Sequence, residues 1–100
     1  MTIIYDEALR EYMAKKGLRT IAVEVISTQN SDLDVTELYV HLIPEKRAAY
    51  FKEKKHFRAV QGELGELLLP PYHLEYDETI RFFLKKLLFF RSVGYEGIRL

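Results

Sequence analysis

Apolar and polar residues alternate with different periods along the chain, and each change of period marks an element. Thr2–Tyr5 is short and β-branched, suiting either a brief strand or the lead-in to a helix. From Asp6 the spacing turns helical: Leu9, Tyr12 and Met13 share a face, with Arg10, Glu11 and Lys15 elsewhere. Asp6 suits the N-cap, Lys15 and Lys16 suit the negative end of the dipole, and Gly17 suits the residue just past it. The prediction is a helix over about residues 6–16. Arg19–Ser27 alternates with period two, putting Ile21, Val23 and Val25 on one face of a strand. Val35–Ile43 alternates again, and the polar run Ser27–Asp34 between them predicts a hairpin with a loop of about eight residues.

Pro44 ends that hairpin. Glu45–Lys55 has helix-forming composition around Ala48, Ala49 and Phe51. His56–Val60 and Glu66–Leu69 read as short extended pieces on either side of the turn sequence Gln61–Gly65, a second hairpin that Pro70 and Pro71 stop.

The last quarter, Tyr76–Leu100, is the most apolar part of the chain. It holds Phe82, Phe83, Phe89 and Phe90 together with Leu84, Leu87, Leu88, Val93 and Ile98. The expectation is that the rest of the domain packs on it. Its secondary structure is ambiguous. Ile80, Phe83, Leu84, Leu87 and Leu88 follow helical spacing, yet Phe82, Phe89 and Phe90 fall outside that stripe. As strands, Ile80, Phe82 and Leu84 alternate with Arg81, Phe83 and Lys85, and Leu87–Val93 is a second run with Gly94 and Gly97 as breaks. Periodicity alone slightly favours the helix.

Composition narrows the function classes. One hundred residues make one domain, and 48% hydrophobic with 30% charged residues is globular. Fifteen basic and fifteen acidic residues cancel, so the chain lacks the overall charge of a nucleic-acid specialist. The absence of cysteine excludes disulfides, thiol catalysis and cysteine-ligated metal. No apolar run approaches the roughly 20 residues of a membrane span, and the opening residues lack the apolar core of a signal peptide. A cytoplasmic location without a membrane partner is the expectation.

Three strings carry a family resemblance: the opening IIYDEALREYMAKKG, the TIAVEVI that follows, and the ending LLFFRSVGYEGIRL. With these the chain resembles the small bacterial and archaeal CC/Se-motif (seleno)proteins, which are similar in layout to the HesB-like, A-type iron–sulfur carrier domain. The resemblance implies an α+β fold, with the N-terminal helix packed on a mostly antiparallel, HesB-like β structure. It also favours strands at Ile80–Val93. The defining Cys-Cys or Cys-selenocysteine pair is missing, since Ser27-Thr28-Gln29-Asn30-Ser31 stands in its place. The glycines and C-terminal cysteines of the A-type carriers are missing too. No catalytic, cofactor or metal residue carries over, and no cofactor is implied.

The remaining constellations have ordinary readings beside the chemical ones. His41, His56 and His73 are isolated, and only folding could join His73, Glu75 and Asp77 to another histidine as metal ligands. Lys46, Arg47, Lys52, Lys54, Lys55 and Arg58 form a basic segment interleaved with Tyr50, Phe51 and Phe57. Cations beside exposed rings suit single-stranded nucleic acid or another anion, with Lys52, Lys54, Lys55 and Arg58 as the contact set. The ordinary reading is a solvated helix face whose aromatics turn inward. Glu63, Glu66, Glu75, Asp77 and Glu78 offer carboxylates without a spacing that selects a pair. Gly62 and Gly65 form a hairpin turn rather than a phosphate loop. The hydroxyls of Ser27, Thr28, Ser31 and Ser92 lack an identifiable base. Tyr39, Tyr50, Tyr72, Tyr76 and Tyr95 suit half-buried sites or a subunit interface. The resulting expectation is a non-enzymatic interaction or scaffold protein with a homodimeric or other protein partner. The alternative is a weak anion binder through residues 46–58.

Overall fold

The computed structural model describes residues 1–30 and 33–100. The elements run β1 (Thr2–Tyr5), α1 (Glu7–Lys16), β2 (Thr20–Asn30), β3 (Leu33–Ile43), α2 (Glu45–Glu53), β4 (Arg58–Gln61), β5 (Glu66–Leu69), β6 (Glu75–Leu87) and β7 (Phe90–Arg99). The fold is α+β, with two helices and two sheets among the described residues. One sheet has the order β1-β6-β7, the other β3-β2-β5-β4. Neighbours are antiparallel in β2–β3, β4–β5 and β6–β7, and parallel in β1–β6 and β2–β5.

The helix ends follow from local chemistry. Gly17 takes the left-handed conformation at φ 67°, letting its N–H reach Ala14 O and the Leu18 N–H reach Met13 O. Asp6 stands at the N-cap position, but its carboxylate makes no cap hydrogen bond. It receives two from Arg81 instead, at 2.9 and 2.7 Å. Its N–H continues the β1–β6 pairing by donating to Phe82 O. In α2 the Pro44 carbonyl accepts the first bonds, from the Arg47 and Ala48 N–H groups.

The main core lies between the two sheets and α1. Leu9 and Met13 of α1 meet Ile21, Val23, Val40, Leu67 and Leu69 of the four-stranded sheet, and Tyr5, Ile80, Phe82, Val93 and Ile98 of the three-stranded one. Period two puts Ile21 and Val23 there. The intervening Ala22 faces a smaller core with Ile43, Leu68, Ala48 and Phe51, where α2 covers the outer face of the sheet.

Three expectations need correcting. The eight-residue loop at Ser27–Asp34 does not form, because β2 and β3 pair residue by residue as far as Asn30 and Leu33. Of that run, Ser31 and Asp32 lie outside the described residues. Gly94 and Gly97 do not break β7. Opposite Gly94 the ring of Phe83 occupies the space a β-carbon would need, and Gly97 takes φ 94° against Thr79 O beside a bulge in the β6–β7 pairing. The C-terminal block organises the core through only half its length. Its helical spacing was coincidental: β6 and β7 are strands, buried in part at one end and exposed at the other.

Candidate functional site

The basic segment divides when folded. Phe51 is fully buried under α2 and stacks on the half-buried Phe57, with ring centroids 4.9 Å apart. Two of the three interleaved rings thus serve the core, and only Tyr50 is exposed. Lys52 donates to Glu66 at 2.9 Å. Lys55 lies 5.0 Å from the Phe51 ring centroid, 5.9 Å from that of Tyr50 and 3.9 Å from a Glu24 carboxylate oxygen. Lys54 and Lys55 share a cleft of about 390 Å³ with Glu24, His56 and the exposed Tyr72. Lys52 and Arg58 do not line it. Arg58 sits on β4, where its charge slightly offsets the burial that raises the Tyr76 hydroxyl above its ordinary value. The four residues expected to hold an anion are therefore distributed over three places, and a carboxylate lines the one that keeps two of them.

The histidines are equally dispersed. His41 on β3 meets the Glu24 carboxylate of β2 through Nε2 and stacks on Tyr39 at 4.1 Å. Alternation puts Tyr39, His41 and Glu24 on the outer face of the sheet, beyond the end of α2. His56 takes φ 60° in the turn after α2, and His73 is exposed before β6. Glu75 and Asp77 are held by Arg99 at 3.5 and 2.8 Å. Among the described residues no three His, Asp or Glu side chains gather as metal ligands.

Sequence reasoning missed the Arg81 hub. Besides Asp6, its guanidinium binds Glu96 at 2.8 Å and covers the Phe83 ring at 5.2 Å. The hydrogen bonds from Arg81 hold the Asp6 carboxyl below the usual carboxylate range. This knot ties β1, β6 and β7 together at the base of the C-terminal hairpin.

The far end of that hairpin is the largest departure from expectation. Leu87 pairs with Phe90 to close a two-residue turn made of Leu88 and Phe89. These four residues are 62, 92, 94 and 75% exposed, in chain order. Every residue from Lys85 to Ser92 is exposed. The cause is topological: β1 pairs with β6 only across Thr79–Phe82, so among the described residues the hairpin has no third strand beyond Leu84. Leu88 sits at φ 50°, in a turn where glycine or asparagine is the ordinary occupant. Arg91 bends back over the turn and donates to Phe90 O at 3.2 Å and Leu88 O at 3.5 Å. The sequence did carry a signal, which the count of apolar residues overrode. LLFF stands directly between Lys85-Lys86 and Arg91, and no acidic residue occurs from Thr79 to Tyr95.

No helix among the described residues is long and apolar enough to cross a membrane. In comparison with known proteins, the chain matches no family model, no curated protein and no solved structure.

Proposed function

We propose that this chain is a non-enzymatic interaction protein whose contact surface is the tip of the β6–β7 hairpin, on a HesB-like scaffold without its cysteine chemistry. The observation that carries the reading is the exposure of Leu87, Leu88, Phe89 and Phe90 on a projecting two-stranded stem. Large apolar side chains clustered in water mark a contact surface. The backbone of Leu88 strengthens the argument. A β-carbon at positive φ is strained, and a leucine in such a place is a cue to function. The tip is convex, so it can enter a partner but cannot enclose a substrate. The order of leading helix, long strand and return strand supports the scaffold part of the reading.

The test is cross-linking in cells. A photoreactive benzoyl-phenylalanine in place of Phe89 should give adducts that the same group at Tyr72 does not, and a second change, Leu88→Ser, should remove them. Equal yields at both positions would sink the reading.

A second reading rests on the cleft where Lys54 and Lys55 adjoin Tyr72. In it the cleft binds single-stranded nucleic acid or another anion weakly, with affinity falling as salt rises. Charge reversal at Lys54 and Lys55 should abolish retention on a single-stranded oligonucleotide; unchanged retention excludes it. The presence of Glu24 in the cleft puts this reading second.

A further inference from the structure

We infer that the β6–β7 tip docks on the surface of an anionic lipid bilayer. Leu87–Phe90 enter the boundary between headgroups and acyl chains, and Lys85, Lys86 and Arg91 lie at the level of the phosphates. The inference rests on the reading of the tip as the contact surface and specifies its partner.

The arrangement of charge around the stem carries the argument. In an antiparallel pair, residues directly opposite point to the same side, and successive residues to opposite sides. Leu87 and Phe90 thus share one face with Lys85 and Ser92, while Lys86 and Arg91 share the other. Cations stand on both faces of the stem, one and two residues below an apolar cap. At a strand rise of about 3.3 Å per residue, they lie about 3–7 Å below the closing Leu87–Phe90 pair. Apolar groups of peripheral proteins enter the interface by about 5–10 Å, so the cap reaches the acyl boundary as the collar meets the phosphates. A collar on both sides fits a plane pierced by the tip; a groove with one apolar wall calls for a single apolar face.

The rest of the molecule agrees. The formal net charge of the chain is zero, so the three cations of the tip are balanced by three negative charges elsewhere. The protein is polarised, and an anionic surface attracts the tip while repelling the body. A second copy meeting the first tip to tip would press six cations together. The expectation of no membrane partner rested on the absence of an apolar run long enough to span, and a tip that enters only the interface departs from it.

The chain contains no tryptophan, so Phe89→Trp places a single reporter in the tip. Vesicles of phosphatidylcholine with phosphatidylglycerol should shift its emission to the blue, and vesicles of phosphatidylcholine alone should not. Lys85→Glu with Lys86→Glu should weaken binding by at least about 25-fold, at about fivefold per cation. In the full chain, Leu88→Ser with Phe89→Ser should abolish co-sedimentation with the anionic vesicles, while the circular dichroism spectrum stays that of the parent. Equal binding to both vesicle types, or binding that survives the serine changes, overturns the inference. So does a tryptophan buried in a dimer without lipid, or a Phe89 adduct that contains protein and no lipid; both leave the tip as a contact surface. Absence of both vesicle binding and tip-specific adducts overturns the underlying reading as well.

Discussion

Both ends of the C-terminal hairpin carry large apolar side chains, and those side chains have opposite fates. At the base, Ile80, Phe82, Val93 and Ile98 are buried between the sheets. At the tip, Leu87, Leu88, Phe89 and Phe90 stand in water. Backbone strain is handled in opposite ways too. The positive φ at the base belongs to Gly97, whose missing β-carbon leaves room for Thr79 O. The positive φ at the tip belongs to Leu88. Charge also differs. The arginines of the base are paired, Arg81 with Asp6 and Glu96 and Arg99 with Glu75 and Asp77, whereas the tip has three cations and no acid. The base follows the rules of a folded core. The tip violates them in apolar exposure, turn residue and charge balance, and coincident violations of this kind are expected at functional sites.

Paired truncations break this comparison most sharply. Phe82→Ala removes a fully buried ring and should cost about 3–5 kcal/mol of stability. Phe89→Ala should change stability by no more than about 0.5 kcal/mol, as exposed substitutions usually do. Urea unfolding of both variants measures the contrast. A Phe89→Ala cost comparable to that of Phe82→Ala would show the tip to be core after all, and the distinction would collapse.

Backbone substitutions sharpen it with opposite signs. Gly97→Ala places a β-carbon about 2.5 Å from Thr79 O at φ 94°. It should cost about 1–3 kcal/mol, the scale of local backbone strain. Leu88→Asn puts a residue that tolerates the left-handed region at φ 50° and should gain up to about 1 kcal/mol. A stabilised Leu88→Asn with weakened surface binding would mean that the leucine serves contact at the expense of the fold. A destabilised Leu88→Asn would mean that the leucine makes a supporting contact within the fold.

Much of the base was legible in the sequence, and almost none of the tip. Period-two runs located β2 and β3, and Gly17 marked the end of α1 because its positive φ demands glycine. The ambiguity at Ile80–Leu88 arose because a strand buried on one face at its base and exposed on both at its end has no single period. Pairing partners far apart in sequence were invisible. Nothing in Thr2–Tyr5 announces a parallel match with Thr79–Phe82, and that match ends where the tip begins. The basic segment left two readings open, and the ordinary one, aromatics turned inward, holds for Phe51 and Phe57 but not for the exposed Tyr50.

The smallest expected effect is an acid response that belongs to the base alone. Asp6 is held below its ordinary value of 3.8 by the hydrogen bonds from Arg81. A carboxyl depressed in the folded state contributes stability that is present above its unfolded value and lost as pH falls through the folded one. The Asp6–Arg81 pair should therefore support the fold at neutral pH and fail only below about pH 4. Arg81→Met should return Asp6 to the ordinary carboxylate range and so remove this acid-dependent part of the stability. Carboxyl NMR titration of Asp6 in both proteins reads this directly, and an Asp6 that titrates normally in the parent would remove the hub from the account. No carboxylate lies between Thr79 and Tyr95, so the tip itself has nothing to titrate in that window. Below about pH 4 the Phe89→Trp emission of the free protein should hold steady while the base loses its anchor. A shift there would mean that the two ends of the hairpin are coupled.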